Sequence, residues 1–263
     1  MISSLIVAIR KACVLFFRLI LSVYFKEITV IGLENVPKKG PIIFVGNHAN
    51  QYMDPMSIVA FAPHHIRFLV AASTYRQRVM GFFAKIFGAI PVERPQDIAV
   101  KGEGQVEFQE GGIVKGHETR FQKQACKGDT LKVKDCTDFV ITEVVSDTEM
   151  KVKAKEVEKC EYGKKWDFKI APKLDQSEVF SKVWEELSNG KCLGIFPEGG
   201  SHDQTDLLPL KVGVAICGLG CMDKYKDTQI NVIAWGLKYF HPNRFRSKMI
   251  LEFSTPFTVD PQL

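Results

Sequence analysis

The alternation of short apolar runs with helical patterns constrains this chain most. The apolar runs have the length of strands and are PIIFVG, KCLGIF, NVIAWGLKYF and KMILEF. Helical patterns separate them, one over residues 78–87 and one from Asp175, where Val179, Val183 and Leu187 recur on one face. Strands that alternate with helices predict an α/β fold, with a central mixed sheet flanked by helices.

Residues 101–175 differ from the rest of the chain. They are rich in Lys, Glu, Asp and Thr, and they alternate as in TLKVKD and VITEVVSDTEM, with a predicted hairpin turn at Ser146-Asp147. We therefore predict a β-rich insertion at 101–175 in a domain formed by 27–100 and 176–263. Within that domain, residues 27–36 (EITVIGLENV) are predicted to form a hairpin or a pair of strands.

The first 26 residues are apolar but are interrupted by Arg10, Lys11 and Arg18. Their longest uncharged run falls short of the roughly 18–20 residues that span a bilayer. At helical spacing, Ser4, Lys11, Arg18, Ser22 and Lys26 share one stripe, which predicts an amphipathic membrane-associating helix over residues 1–26. The alternative is a helix that packs on the core of its own domain, and the wide apolar face favours the membrane.

Composition narrows the function only slightly. A net charge of +5 suits anionic partners but is also common in soluble proteins. The seven cysteines show no CxxC or Cys/His ligand spacing, which argues against a zinc site and a disulfide framework. We expect reduced thiols in a protein that faces the cytosol.

The stretch GNHANQYMDP directly follows an apolar run and contains His48 and Asp54. A histidine at a strand end can act as a general base when a carboxylate fixes its tautomer. On one continuous helix, two residues six positions apart would point about 240° apart, so the pair requires a turn between them. The alternative is structural, because Asp54-Pro55 is also a good N-cap and first-turn pair for a helix.

Two further motifs offer groups that bind anions. Arg94 is flanked by Pro91 and Pro95 in GAIPVERPQD and could bind a phosphate through two nitrogens, or it could be an ordinary surface arginine. In FPEGGSHDQTDLLPLK, backbone N–H groups of a Gly-rich loop could hold a phosphate or an oxyanion, or form only a tight turn. The candidate residues of this loop are Glu198, Gly199, Gly200, Ser201 and Lys211.

A basic segment lies between the last two predicted strands. Four cations follow one another within eleven residues, and they are Lys238, Arg244, Arg246 and Lys248. They could face an anionic substrate or lipid, or they could belong to a solvated hairpin loop.

In this order, the four motifs resemble those of the glycerolipid acyltransferase superfamily. The phrases HANQYMDP, FPEGGSHD…DLLPLKVGVAI and YFHPNRFRSK…EFSTP are similar to the fungal-type glycerol-3-phosphate/dihydroxyacetone phosphate 1-O-acyltransferases of the endoplasmic reticulum. Most of the superfamily has four residues between His and Asp, whereas this chain has five, as that subgroup does. Members usually carry further membrane segments, so we expect a short or truncated form.

The resemblance implies a membrane-bound, acyl-CoA-dependent O-acyltransferase on the cytosolic face of the endoplasmic reticulum. His48, oriented by Asp54, would activate the sn-1 hydroxyl of glycerol-3-phosphate in the first step of phospholipid and triacylglycerol synthesis. Arg94, Gly199, Gly200, Ser201 and Lys211 would hold the phosphate, and Glu198 would orient the glycerol. The resemblance implies membrane lipids as partners, acyl-CoA as a co-substrate, and neither a metal, another cofactor nor nucleic acid.

Two alternatives stay open at this point. One is a lysophospholipid acyltransferase, which would use an acceptor with a longer tail. The other is a membrane-surface binding module that uses the basic helix and the phosphate-binding loop without catalysis.

Overall fold

The computed structural model describes residues 2–154, 161–201, 206, 208–241 and 243–259. The helices are α1 (Ile2–Tyr24), α2 (Met53–Phe61), α3 (Ala72–Tyr75), α4 (Arg78–Ile86), α5 (Phe121–Gln124), α6 (Ser177–Ser188) and α7 (Gly213–Lys224). The strands are β1 (Phe25–Ile31), β2 (Ile42–Gly46), β3 (Ile66–Ala71), β4 (Ile90–Val92), β5 (Val100–Lys101), β6 (Gln105–Gln109), β7 (Ile113–His117), β8 (Thr130–Val133), β9 (Phe139–Ser146), β10 (Glu149–Ala154), β11 (Lys165–Trp166), β12 (Phe168–Ala171), β13 (Cys192–Ile195), β14 (Asn231–Tyr239), β15 (Ser247–Phe253) and β16 (Phe257–Thr258).

The first compact unit comprises Met1–Val92 and Gln176–Leu263. It is built on a mixed sheet in the order β1-β15-β14-β2-β13-β3-β4, with β16 paired to β14. The five strands from β14 to β4 are mutually parallel, and β15 runs antiparallel to β14. The predicted central mixed sheet is therefore confirmed.

Helices cover both faces of this sheet. Alternate residues of β2 enter opposite cores, because successive side chains of a strand point to opposite faces. Ile42 and Phe44 pack with residues of α1 and α2, whereas Ile43 packs with residues of α6 and α7. Because both faces are buried at the centre of the sheet, strands β2 and β13 are apolar throughout, as the sequence pattern predicts.

Helix α1 is apolar on two sides. Its inner side buries Phe17 and Leu21 in the core beneath α2. On its outer side, Leu5, Leu15 and Leu19 are each more than 60% exposed. The helix thus packs on the core of its own domain, which was the alternative interpretation. It also leaves an apolar face exposed, which a membrane-associating helix requires.

The predicted hairpin at residues 27–36 is wrong. The segment forms the single strand β1, which pairs in parallel with β15, more than 200 residues later in the chain. A short 3-10 turn at Leu33–Asn35 follows β1. The period of an apolar run reveals a strand but not its partner, and here the partner is non-local.

The second compact unit is Glu93–Asp175, so its first boundary lies eight residues before the predicted start of the insertion. It contains a sheet in the order β11-β6-β7-β10-β9-β8-β12-β5, in which the neighbouring strands are antiparallel. The hairpin of β9 and β10 turns after Ser146, as the sequence predicts. This unit buries a core of its own, which includes Phe108, Phe121 and Phe139.

Within the described part of the chain, no helix has the length and apolarity needed to cross a bilayer. The described residues also contain no cluster of His, Cys, Asp or Glu with the arrangement of a metal site. Among the cysteines that the structure describes, five are free, and they are Cys13, Cys126, Cys192, Cys217 and Cys221. Cys136 is disulfide-bonded, which contradicts the expectation of reduced thiols there. Sequence spacing does not reveal which cysteines folding brings together, and the expectation for Cys160 falls outside the described residues.

Candidate functional site

The candidate site lies where three neighbouring parallel strands end. His48 follows β2 by two residues, Glu198 follows β13 by three, and Tyr239 is the last residue of β14. Because β14, β2 and β13 are adjacent and parallel, their carboxyl ends meet at one edge of the sheet. Open α/β sheets commonly bind their ligands at this edge.

His48 and Asp54 form a direct pair, as the sequence predicted. The distance from Nδ1 of His48 to Oδ2 of Asp54 is 3.1 Å. The imidazole is 12% exposed and the carboxylate 1% exposed. An ionised carboxylate only accepts hydrogen bonds, so Nδ1 carries the proton and Nε2 is left as an acceptor, the state that a general base requires.

Asn50 produces the turn that brings the pair together. Its side-chain Oδ1 accepts hydrogen bonds from the backbone N–H groups of Tyr52 and Met53, both at 3.1 Å. Its own backbone N–H donates to Oδ2 of Asp54 at 2.8 Å. Because His48 lies before this turn and Asp54 after it, the five intervening residues do not separate the two side chains.

The interpretation of Asp54 as an N-cap is therefore wrong. Helix α2 begins at Met53, so Asp54 lies inside its first turn rather than before it. Asn50 supplies the capping hydrogen bonds instead. This leaves both carboxylate oxygens of Asp54 free to accept from other elements.

Tyr239 is a member of the site that the sequence did not reveal. Its hydroxyl donates to Oδ1 of Asp54 at 2.8 Å. Burial and the Asp54 carboxylate raise the pKa of Tyr239 well above its usual value, so the hydroxyl stays protonated and remains a donor. Tyr239 ends an apolar run and begins the phrase YFHPNRFRSK, but neither position identifies Asp54 as its partner.

Glu198 connects the loop after β13 to the backbone of His48. Its Oε1 accepts from the N–H of His48 at 2.9 Å, and its Oε2 accepts from the N–H of Leu208 at 3.1 Å. Glu198 is only 4% exposed. Hydrogen bonds that involve a charged group are stronger than neutral ones, so this carboxylate fixes the position of the His48 main chain.

Aromatic stacking completes the support of His48. The imidazole stacks on the ring of Phe196 with centroids 3.9 Å apart and planes 15° apart. Phe196 in turn stacks on Phe68 at 5.5 Å. One face of the imidazole is therefore covered by an apolar ring.

The structure also brings Lys211 to the predicted Gly-rich loop. The Lys211 N–H donates to the carbonyl of Pro197 at 2.9 Å. The Lys211 side chain lies directly against Gly199, where a Cβ atom would meet Nζ. Gly199 has φ of 75°, so both its conformation and the neighbouring lysine favour glycine. Gly200 and Ser201 follow it in the same loop, whereas residues 202–205 and 207 of the predicted motif lie outside the described residues.

Arg94 belongs to the second unit, where it pairs with Asp97. Nε and Nη2 of Arg94 each lie 2.9 Å from a carboxylate oxygen of Asp97. The guanidinium has the two-nitrogen geometry that was predicted for a phosphate, but a carboxylate of its own chain accepts the bonds. Its role toward substrate stays a prediction.

The basic segment extends from the end of β14 to the start of β15 and is only partly free to meet a ligand. Nη1 of Arg246 donates to the carbonyl of Ser22 at 3.0 Å, and Lys248 pairs with Glu27 at 2.6 Å. Lys238 lies over the ring of Phe240, and Arg244 is exposed. Two of the four cations thus hold the end of α1 and strand β1 in place.

An apolar cavity of about 280 Å³ lies in the first unit. Its walls come from α1, α2, β3, α3, α4 and the adjoining loops and include Phe16, Met56, Phe68 and Met80. Phe68 joins the cavity to the site, because its ring stacks on Phe196, which covers His48. The cavity has the chemistry to hold a hydrocarbon chain beside the His/Asp pair.

An α/β sheet with a His/Asp pair and a Gly-rich loop at its carboxyl edge is thus established, and comparison with known proteins identifies the family in which these features occur. A family model described as "Acyltransferase" matches residues 27–124. The protein is also 39% identical over 91% of its chain to glycerol-3-phosphate O-acyltransferase 1 of Saccharomyces cerevisiae, and 34% identical over 94% to glycerol-3-phosphate O-acyltransferase 2 of that yeast. An uncharacterized acyltransferase of Schizosaccharomyces pombe is 37% identical over 95% of the chain.

The resemblance to the acyltransferases is thus confirmed, and the chain contains an acyltransferase-family domain. It spans 33% to 39% of the length of these three relatives. The fold is similar to the crystal structure of the 1-acyl-sn-glycerophosphate acyltransferase PlsC from Thermotoga maritima, with a TM-score of 0.54 at 13% identity. That match covers 100% of this chain and 73% of PlsC.

Proposed function

We propose that this chain transfers a fatty acyl group from acyl-CoA to the sn-1 hydroxyl of glycerol-3-phosphate, and that dihydroxyacetone phosphate is a second acceptor. The observation that carries the proposal is the 3.1 Å pair of His48 Nδ1 and Asp54 Oδ2, with the carboxylate 1% exposed. The two yeast relatives named as glycerol-3-phosphate acyltransferases support the choice of acceptor.

The proposed mechanism uses Nε2 of His48 as the base. Nε2 takes the proton of the acceptor hydroxyl as that oxygen attacks the thioester carbonyl of acyl-CoA. The tetrahedral intermediate collapses, the C–S bond breaks, and the imidazolium returns its proton to the CoA sulfur. Asp54 stabilises the imidazolium while it exists, so no acyl-enzyme, metal or further cofactor is required.

The loop after β13 supplies the groups proposed for the phosphate. Lys211 contributes a positive charge beside Gly199, and Gly200 and Ser201 contribute N–H groups. Arg94 is proposed as a further phosphate ligand, for which it would exchange the Asp97 carboxylate for the phosphate. Glu198 would orient the glycerol through oxygen lone pairs beyond those used by His48 and Leu208, since each carboxylate oxygen accepts more than one bond.

The apolar cavity is the proposed place of the acyl chain. Its lining by Phe16, Met56, Phe68 and Met80 suits a hydrocarbon, and Phe68 connects it to His48 through Phe196. Burial of each methylene is worth about 0.8 kcal/mol, so a long chain would be held strongly. This supports a fatty acyl donor over an acetyl donor.

Membrane association through α1 is part of the same proposal. The outer face of the helix exposes Leu5, Leu15 and Leu19, and Lys11 is exposed beside this face. Such a helix lies in the interface plane with its apolar side in the acyl region and its cations near anionic headgroups. We propose the cytosolic face of the endoplasmic reticulum as the location.

An acceptor assay tests the activity. The purified chain is incubated with one acyl-CoA and, separately, glycerol-3-phosphate, dihydroxyacetone phosphate or lysophosphatidate. We expect product from the first two acceptors, and product formation about 10³-fold slower after His48→Ala. Unchanged turnover in His48→Ala would remove His48 as the base, and a wild-type chain without turnover on any acceptor would favour the binding module.

A vesicle assay tests the membrane contact separately. We expect cosedimentation with anionic vesicles, reduced by a Leu15→Ser/Leu19→Ser double substitution and unaffected by Val145→Ser in the second unit. Equal binding of all three proteins would contradict the role of α1.

A lysophosphatidate acyltransferase is the second candidate. It is favoured by the fold similarity to PlsC and by an apolar cavity that could take an acceptor tail. Product formed only from lysophosphatidate would select it over glycerol-3-phosphate acylation.

A further inference from the structure

Tyr239 reaches the candidate site from a strand that the His/Asp motif does not include. It ends β14, which lies beside β2 in the sheet. Its ring stacks on Phe25 with centroids 5.7 Å apart and planes 16° apart, so the side chain is held in one orientation. From there its hydroxyl lies 2.8 Å from Oδ1 of Asp54.

The chemistry of Asp54 sets the role of the Tyr239 hydroxyl. The nearby Ser57, one turn later on α2, is fully buried and donates its hydroxyl to Sδ of Met249 at 3.5 Å. Because an ionised Asp54 accepts only, Tyr239 must be the donor of the bond between them. The direction of this hydrogen bond is thus set by its partners.

Asp54 depends on three donors from three places in the fold. Oδ2 accepts from the His48 ring and from the Asn50 N–H, whereas Oδ1 accepts from Tyr239. A carboxylate that is only 1% exposed requires such donors because it is shielded from bulk solvent. The contact with Tyr239 is the one described contact of Oδ1, so its loss would free the carboxylate to rotate away from His48.

We propose that Tyr239 is a positioning residue, which holds Asp54 in the rotamer that orients His48 for base catalysis. This inference rests on the proposed acyl transfer, since it assigns a role within that reaction. Tyr239 would not touch the substrate. It would act through Asp54, and its contribution should appear in turnover rather than in substrate binding.

The kinetic test uses Tyr239→Phe, which keeps the ring stack and removes only the hydroxyl. We expect kcat to fall about ten-fold with KM unchanged for both substrates, because a hydrogen bond to a charged group is lost. Tyr225→Phe, at the end of α7 in the other core, is the matched control and should retain wild-type kinetics. Wild-type kcat in Tyr239→Phe, or a loss in which KM rises as well and the melting temperature falls, would overturn the proposal.

A second measurement needs no catalytic activity. Nitrogen-15 NMR of histidine-labelled protein reports which ring nitrogen carries the proton, and the His48→Ala spectrum assigns the His48 signals. We expect the Nδ1–H tautomer in the wild type and a mixture of tautomers in Tyr239→Phe. An inactive wild type would refute the proposed function alone, and the spectra would then decide: a changed tautomer supports the role of Tyr239, and identical spectra refute it.

Discussion

The two units each contain a histidine paired with a carboxylate, and the pairs differ in everything except distance. His48 lies 3.1 Å from Asp54 in the first unit, and His117 lies 2.9 Å from Glu107 in the second. In the first pair the carboxylate is 1% exposed, whereas in the second it is 23% exposed and its histidine 37%. The shorter pair is thus the more solvated one.

The two histidines also differ in the ring nitrogen that contacts the carboxylate. His117 contacts Glu107 through Nε2, on neighbouring antiparallel strands β7 and β6. His48 contacts Asp54 through Nδ1 and keeps Nε2 for a substrate, while Tyr239 and Asn50 hold the carboxylate. A short His–carboxylate distance therefore does not define a catalytic pair. Burial of the carboxylate and the availability of Nε2 distinguish the two.

Removal of each histidine in turn should give the largest difference in kcat between the two pairs. His48→Ala is expected to lower kcat by about 10³-fold, because general base catalysis is lost. His117→Ala should leave kcat within about two-fold, since a solvated ion pair contributes little. Initial rates at saturating substrate measure both. Equal losses in the two variants would show that the buried pair has no special role.

Substitution of the carboxylates should give a smaller but still large contrast. Asp54→Asn is expected to lower kcat by about 10²-fold, because the amide no longer stabilises the imidazolium. It should also lower the free energy of unfolding by about 1–3 kcal/mol, since three donors lose a charged acceptor. Glu107→Gln should change that free energy by less than about 1 kcal/mol. Urea denaturation and initial rates test both variants, and a larger effect at Glu107 would reverse the comparison.

The backbone support of His48 should have an intermediate effect. In the wild type, the N–H groups of His48 and Leu208 each donate to one carboxylate oxygen of Glu198. In Glu198→Gln, the amide NH₂ group would replace one of these oxygens, so one N–H group would lose its acceptor. We expect kcat to fall about ten-fold, because a displaced base is less well aligned with its substrate. Glu178→Gln, exposed in the first turn of α6, is the control. Wild-type rates in Glu198→Gln would mean that this carboxylate neither positions His48 nor orients the glycerol.

A third histidine, His65, should give the smallest effect and only in acid. Burial and the charges of Arg10 and Arg67 lower the pKa of His65 from 6.5 to about 4. The unfolded chain therefore binds a proton below pH 6.5 that the folded chain rejects until about pH 4, so stability is lost as the pH falls through this range. Melting temperatures should decline less steeply in His65→Phe than in the wild type. Parallel curves would contradict this assignment.

Much of the fold was predictable from local patterns. The four apolar runs correspond to β2, β13, β14 and β15, and the helical pattern from Asp175 corresponds to α6, because burial on one or both faces leaves a regular apolar period. The pairing of β1 with β15 was missed, since the sequence contains no signal for a partner so distant. The compact second unit begins at Glu93 rather than at the predicted residue 101, between two prolines, Pro91 and Pro95, that the composition-based boundary did not use.

The residues of the candidate site can likewise be divided into those that the sequence identified and those that it did not. His48, Asp54, Glu198 and the loop from Gly199 could be identified because each belongs to a short motif with a known chemistry. The sequence by itself also determined that five residues separate His48 from Asp54, which favoured one subgroup of acyltransferases. Spacing alone left open whether Asp54 caps a helix or orients the histidine.

Only the tertiary structure decided between these roles. It assigned the capping bonds to Asn50, oriented both oxygens of Asp54 toward other donors, and brought Tyr239 to one of them from 185 residues away. It also revealed that the stripe of cations on α1 is not wholly exposed, because Arg18 donates to the carbonyl of Ala60. The physical reason is common to all of these cases. A local pattern determines which residues share a face or a turn. Hydrogen-bond partners depend instead on which strands and helices become neighbours when the chain folds.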